Sequence, residues 1–238
     1  MLAYLEEQQH NGVTIGRASS ELGVHTETLR PYLEALILEG KVHFDESDHR
    51  YYLDPDAVPI RPTAADPDRI MAALAEYAAE TRHDIALAVL AEDGLRLPFY
   101  VEPHEGPEPA LLSGLRRDSA HATAAGHALL SNRPNWYLYR YFDRIGMPAL
   151  TDRSPTTIED LKPHLESGPR GIWSARGQYC EVGACIAVIA HESHYTHTRF
   201  ALTTSVLDRD YHVRKHALRG RLLQTAGELQ TVLGPLEL

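Results

Sequence analysis

The stretch from Val13 to Val42, VTIGRASSELGVHTETLRPYLEALILEGKV, constrains this chain more than any other. It spells two short helices joined by a tight turn. Arg17 to Leu22 reads as the first helix, and Gly23 supplies the left-handed residue that a sharp reversal needs. Thr26 stands where a hydroxyl N-cap would open the second helix. Leu29, Leu33, Leu36 and Ile37 then recur at three- and four-residue spacing along one face, and Gly40 closes the helix from the C′ position. Two β-prone runs follow, Lys41 to Phe44 and Arg50 to Leu53, around the polar turn Asp45 to His49. Helix, turn, helix and hairpin in this order make a winged helix-turn-helix. Such a unit lays its second helix in the DNA major groove and its hairpin on the backbone. A small helical core without a DNA role is the plainer alternative.

The N-terminal turns of a recognition helix meet base edges, which makes His25, Thr26, Thr28 and Arg30 candidate contacts. Arg30 is best suited to a guanine edge or a phosphate. Arg17, Lys41 and Arg50 suit phosphate contact. Charge pulls the other way. The net charge is −10, and residues 1–57 hold four basic residues against eleven acidic ones. Phosphate contacts supply most non-specific affinity, so weak non-specific binding and a need for oligomerisation are expected. The alternative is a small-molecule or metal-sensing module whose degenerate winged helix mediates protein contacts.

Four prolines between Asp54 and Pro67 stiffen what reads as a linker. The organisation expected is a DNA-binding domain over 1–56, a linker over 57–66 and a second domain over 67–238. Asp66-Pro67 opens a helix running to about Arg82 with Ile70, Met71, Leu74, Tyr77 and Ala78 on its apolar face. Two β-prone runs flank Glu92-Asp93-Gly94, a hairpin signal. Ala120 to Leu130 is a small-residue helix, Trp136 to Phe142 a second, and Thr156-Thr157 caps a third that runs to Leu165. Residues 171–174, 184–190 and 200–207 read as strands, and Asp210 to Leu233 as a long terminal helix. The fold class is α+β with one mixed or antiparallel sheet.

Several classes drop out. No apolar run approaches the roughly 20 residues of a membrane span, and the start, MLAYLEE, does not read as a signal peptide. Cys180 and Cys185 are too few for a disulfide framework, which points to a reducing cytoplasm. His191, His194 and His197 could be zinc ligands together with the cysteines, but strand alternation would not aim them at one point, so a polar turn is expected. No nucleophile elbow, P-loop, dinucleotide fingerprint or His-Glu-x-x-His is present, so neither an enzyme nor a cofactor is expected.

At this point the residues resemble the IclR family of bacterial transcription regulators over nearly the whole chain. Thr14, Gly23, Thr28, Leu33 and Gly40 sit at family-like positions of the N-terminal motif. The run His121-Ala122-Thr123-Ala124-Ala125-Gly126-His127-Ala128-Leu129-Leu130 resembles the family's His-Ala-(Thr/Ser)-Ala-x-Gly-Lys-Ala-Leu-Leu. Leu150-Thr151 with Thr156-Thr157-Ile158 resembles its threonine-rich run, Val182 to Ala187 its Gly-x-x-Cys-Ile-Ala strand, and Phe200 to Ser205 its Ala-Leu-Ser-x-Ser strand. The resemblance implies a homodimer or homotetramer, a winged helix on a double-stranded operator, and a GAF-like or profilin-like α+β effector-binding domain. It implies a small effector, often a carboxylate or aromatic acid, held by positions that map to Ala124, Ala125, Cys185, Thr203 and Ser205. Small residues would let backbone N–H groups at a helix start reach an anion. Four departures stand out. Pro31 replaces a commonly basic residue and removes a helical hydrogen bond, favouring a kink. His127 replaces the usual lysine, the acidic pocket residue of some members has no clear counterpart, and Ala187 to Ala190 lacks a proline.

Overall fold

The computed structural model describes residues 1–8, 11–54, 66–103, 111–166, 171–192 and 199–233. The chain divides into two compact units. In the first, helices α1 (Leu2–Glu7), α2 (Ile15–Leu22) and α3 (Thr26–Leu38) precede a hairpin of β1 (Val42–Asp45) and β2 (Arg50–Leu53). The Thr14 hydroxyl accepts the Arg17 N–H, so α2 is capped and begins two residues before the sequence reading placed it. Gly23 turns the chain at φ +64°. The expected Thr26 cap does not form. His25 is extended, its carbonyl accepts the Thr28 and Leu29 N–H groups, and Thr26 is already the first helical residue.

Helix α3 runs through Pro31 without ending. Pro31 is exposed, so solvent can satisfy the carbonyl that loses its partner. Gly40, at φ +68°, then closes α3: the Lys41 N–H reaches the Leu36 carbonyl and the Gly40 N–H that of Ile37, both at 2.9 Å. Leu5, Val13, Ala18, Leu29, Leu33, Leu36, Val42 and Leu53 form this unit's core. Ile37, which spacing placed on the inner face, lies at its rim, 37% exposed.

The second unit opens with α4 (Pro67–Thr81), whose Asp66 cap accepts the Asp68 and Arg69 N–H groups. Strands β3 (Ile85–Ala91) and β4 (Gly94–Val101) form a hairpin in which Ala91 faces Gly94. A 3₁₀ stretch (Arg117–Ala122) leads to α5 (Ala124–Leu130), α6 (Asn135–Ile145) and α7 (Ile158–Leu165). Thr157 caps α7 as its hydroxyl predicts, accepting the Asp160 N–H. Strands β5 (Ile172–Arg176), β6 (Gly183–Glu192) and β7 (Arg199–Leu207) precede α8 (Tyr211–Leu233). Among the described residues the strands form one five-stranded sheet, ordered β4-β3-β7-β6-β5, with every pairing antiparallel. Strands β5 and β6 each begin one residue from the expected start, and residues 120–130, expected as one helix, do not form one. Instead the helix breaks at Thr123, which is extended.

The period-two alternation of β6 and β7 sorts side chains by size. Ile186, Val188, Leu202 and Val206 face α4 and α8, where Ile70, Leu74, Tyr77, Leu218, Leu222 and Leu229 bury against them. Each such side chain contributes roughly 1.5–3 kcal/mol. Met71, expected on the inner face of α4, is 39% exposed. The opposite sheet face carries Ala175, Cys185, Ala187 and Ala201, and against these small residues α5 packs with all seven of its residues buried.

That close approach depends on Gly126. A Cβ there would sit 2.0 Å from the Ala120 carbonyl oxygen and 2.4 Å from the Ala120 Cα. Both obstacles are backbone and cannot swing aside. Gly126→Ala is therefore expected to lower unfolding free energy by about 3 kcal/mol. Gly220→Ala, where no atom lies within 4 Å, should raise it by up to about 1 kcal/mol. Urea titration of both variants decides: equal effects at the two positions would contradict the close-packing account.

Candidate functional site

Two places bring the sequence-selected residues together, one in each unit. In the first, the four cations differ in their freedom. Arg17 Nε donates to Glu21 Oε1 at 2.8 Å, while the Tyr4 hydroxyl donates to the other Glu21 oxygen. Lys41 Nζ lies 2.8 Å from Glu39 Oε2. Arg50 Nη1 donates to the Asn11 carbonyl at 2.7 Å, tying the hairpin to the turn before α2. Arg30 is exposed on α3 and makes no hydrogen bond or ion pair to another described residue. His25, Glu27 and Thr28 are exposed on the same N-terminal turns and Thr26 is half-buried.

The second place is a pocket between the start of α5 and the strand face opposite α8. Ala122, Thr123 and Ala125 form one wall; Ala175, Ala184 and Cys185 form another. Thr203 and Ser205 of β7 make the floor, and Leu111, Leu112 and Leu115 lie over the mouth. Tyr179 and Cys180 complete the rim. The cavity is about 20 Å³, enough for one water, within some 410 Å³ of unfilled space counted out to its open mouth. Of the five residues expected here, Ala125, Cys185, Thr203 and Ser205 line the pocket. Ala124 does not; its N–H donates to Cys185 Sγ at 3.1 Å. Burial pushes the Cys185 thiol up to about 11, with the nearby Asp84 charge adding to it, so it is an inert thiol rather than a nucleophile.

Sequence reading missed Asp84. It sits just before β3, 3% exposed, and both its oxygens are used. Oδ1 accepts the Ser205 N–H at 3.0 Å and the Ser205 hydroxyl at 2.5 Å, and Oδ2 accepts the Leu112 N–H at 2.9 Å. The Asp84 carbonyl accepts from the Thr204 hydroxyl. One carboxylate thus pins β7 and the segment over the pocket mouth. A His-Asp pair between a helix and a strand carried no motif that could have flagged it.

Behind α5 lies a buried histidine group. His127 Nε2 donates to the His121 carbonyl at 2.8 Å, and its ring stacks on His164 with centroids 5.4 Å apart. His121 Nε2 donates to the Pro148 carbonyl at 2.9 Å. Burial holds His127 down at about 4 and lowers His121 as well. His191 is the next-to-last residue of β6, while His194 and His197 lie outside the described residues. Among the described residues no group of three or more His, Cys, Asp or Glu could hold a metal ion, and no helix is long and apolar enough to cross a membrane.

No protein-family model matches the sequence, and no curated protein matches it. Solved structures do share the fold. An IclR transcriptional regulator from Alicyclobacillus acidocaldarius is similar over 98% of this chain and 97% of its own, with a TM-score of 0.60 and 22% identity. The C-terminal domain of the Escherichia coli transcriptional regulator KdgR covers 70% of this chain and 97% of its own, at TM-score 0.59 and 21% identity. The inducer-binding domain of a double mutant of the Acinetobacter transcription factor PobR, in complex with 3-hydroxybenzoic acid, covers 70% and 98%, at TM-score 0.59 and 20% identity. The five-stranded α+β unit is thus the fold of IclR-type effector domains.

The buried histidine fixes a pH dependence. His127 titrates near 4 when folded, against an ordinary 6.5, so the unfolded chain binds the extra proton between those values. Stability from this group is complete above pH 6.5 and falls as pH drops toward 4, by up to about 1.4 kcal/mol per pH unit. His127→Gln should remove roughly one proton from that slope, read as the difference between the two proteins' urea midpoints over pH 5 to 6.5. Parallel curves would mean that His127 is not held neutral.

Proposed function

We propose that this chain is an IclR-type transcription regulator that binds double-stranded DNA through an N-terminal winged helix-turn-helix, residues 1–56, and senses a small molecule through residues 67–238. The reading rests chiefly on Arg30, a cation without a described partner on the exposed face of α3. It stands in a chain whose fold follows an IclR regulator nearly end to end. Helix α3 is the reading helix, with His25, Thr26 and Thr28 beside Arg30 at its start, and β1 and β2 are the wing. Lys41, Arg17 and Arg50 supply positive charge for phosphates, although each first leaves an internal partner. With so few cations per protomer, a homodimer or tetramer is the binding form. The pocket is the effector site, formed by Ala125, Cys185, Thr203 and Ser205. A molecule that binds one arrangement of the regulator better than another shifts its operator affinity by that difference.

A second reading has one observation in its favour. Tyr32 and Leu38 on α3 are 61% and 89% exposed, in a segment with a large acidic surplus. A helix so furnished suits contact with another protein. Fluorescence anisotropy with the protein's own upstream DNA, across a salt series, separates the two. A regulator binds saturably, weakens steeply with salt, and loses about tenfold or more in affinity with Arg30→Ala while its melting temperature is unchanged. Affinity indifferent to salt and to Arg30→Ala would favour the protein-contact reading.

A further inference from the structure

We propose that the pocket takes a neutral, mainly apolar molecule carrying one hydroxyl, an alcohol or phenol rather than a carboxylate. This rests on the pocket being an effector site, as argued above, and names the chemistry of its ligand.

Four features of the pocket disfavour an anion. First, no Lys, Arg or His lines it among the described residues. Arg116, whose backbone N–H donates to the Tyr179 hydroxyl, commits its guanidinium to Asp118 at 2.8 and 2.6 Å. Second, the start of α5, where an anion was expected, has spent two of its first three N–H donors. The Ala124 N–H goes to Cys185 Sγ and the Gly126 N–H to the Thr123 hydroxyl.

Third, the floor hydroxyls have spent their protons inward. Thr203 donates to the Ile186 carbonyl at 3.1 Å, and Ser205 to Asp84. They face the pocket with lone pairs, which ask a ligand for a donor, and a carboxylate has none. Fourth, the Asp84 carboxylate lies one hydroxyl behind the floor, 2.5 Å from Ser205 Oγ. A second negative charge beside it in an apolar site is repelled.

The same groups fit a hydroxyl. A ligand O–H can donate to Thr203 or Ser205. Thr123, whose oxygen accepts from Gly126, keeps its own proton and can donate one bond back. The pocket's void of about 20 Å³ has room for one such group. The apolar body then lies against Ala125, Leu112 and Leu115, which line the same pocket.

The test uses the full-length protein and three small probes that share a ring: phenol, anisole and benzoate. Binding is measured at neutral pH by ligand-observed NMR and calorimetry, up to millimolar concentration. Phenol is expected to bind about tenfold or more tightly than anisole, which lacks the donor, and than benzoate, which lacks the donor and carries the charge. Thr203→Val should shrink the phenol-to-anisole ratio toward one while leaving anisole affinity in place. Benzoate binding as well as phenol, or better, would overturn this inference and leave the effector reading standing. Anisole equal to phenol would overturn the donor requirement and the inference with it. No binding by any of the three would overturn the effector reading itself.

Discussion

A buried carboxylate must find a donor for each oxygen or it destabilises the fold that holds it. Asp84 finds three, and the elements that supply them are the ones that frame the pocket. Ser205 brings β7 into line with the start of β3, and the Leu112 N–H draws the segment before the 3₁₀ stretch over the mouth. The Thr204 hydroxyl on the Asp84 carbonyl adds a bond from the same strand on its other face. The position of β7 at the pocket, the direction of the Ser205 hydroxyl proton and the charge behind it all follow from this one side chain.

The sheet around it has two unlike faces. On one, branched and aromatic side chains interlock with α4 and α8 and make the large core. On the other, Ala, Cys, Thr and Ser let α5 descend almost to backbone contact, with Gly126 against Ala120. A pocket forms where that small-residue packing stops short, between the helix start and β7. The large core and the pocket thus lie on opposite faces of one sheet. The buried His127 belongs to the α5 side as well, so the layer nearest the pocket is also the layer that weakens with acid.

In the first unit the balance is electrostatic. Three of the four Lys and Arg residues described in it are engaged within the unit, and the hairpin is fastened to the turn before α2 through Arg50. These bonds give the unit definition at the cost of free positive charge. Exposed ion pairs such as Arg17 with Glu21 are worth little to stability, and polyanion contact can replace them. Arg30 needs no such exchange, which is why the DNA reading depends on it.

The order of elements was legible in the sequence because it is written in local rules. Three- and four-residue spacing gave α3, α4 and α8; Gly23 and Gly40 gave the turns; Asp66 and Thr157 gave caps; Glu92-Asp93-Gly94 gave the hairpin. Where local rules had rivals, they slipped. Thr26 could cap, yet the chain entered the helix one residue sooner, and Pro31 could break a helix, yet its exposure let the helix pass. The pocket residues Cys185, Thr203 and Ser205 were reached by resemblance, through motif positions rather than chemistry. Asp84, the proton directions of Thr203 and Ser205, and the consumption of the Ala124 and Gly126 N–H groups were decided by tertiary structure alone. Each depends on atoms up to 121 positions apart in the chain, and no periodicity or short motif encodes a hydrogen bond between segments that meet only when the sheet closes.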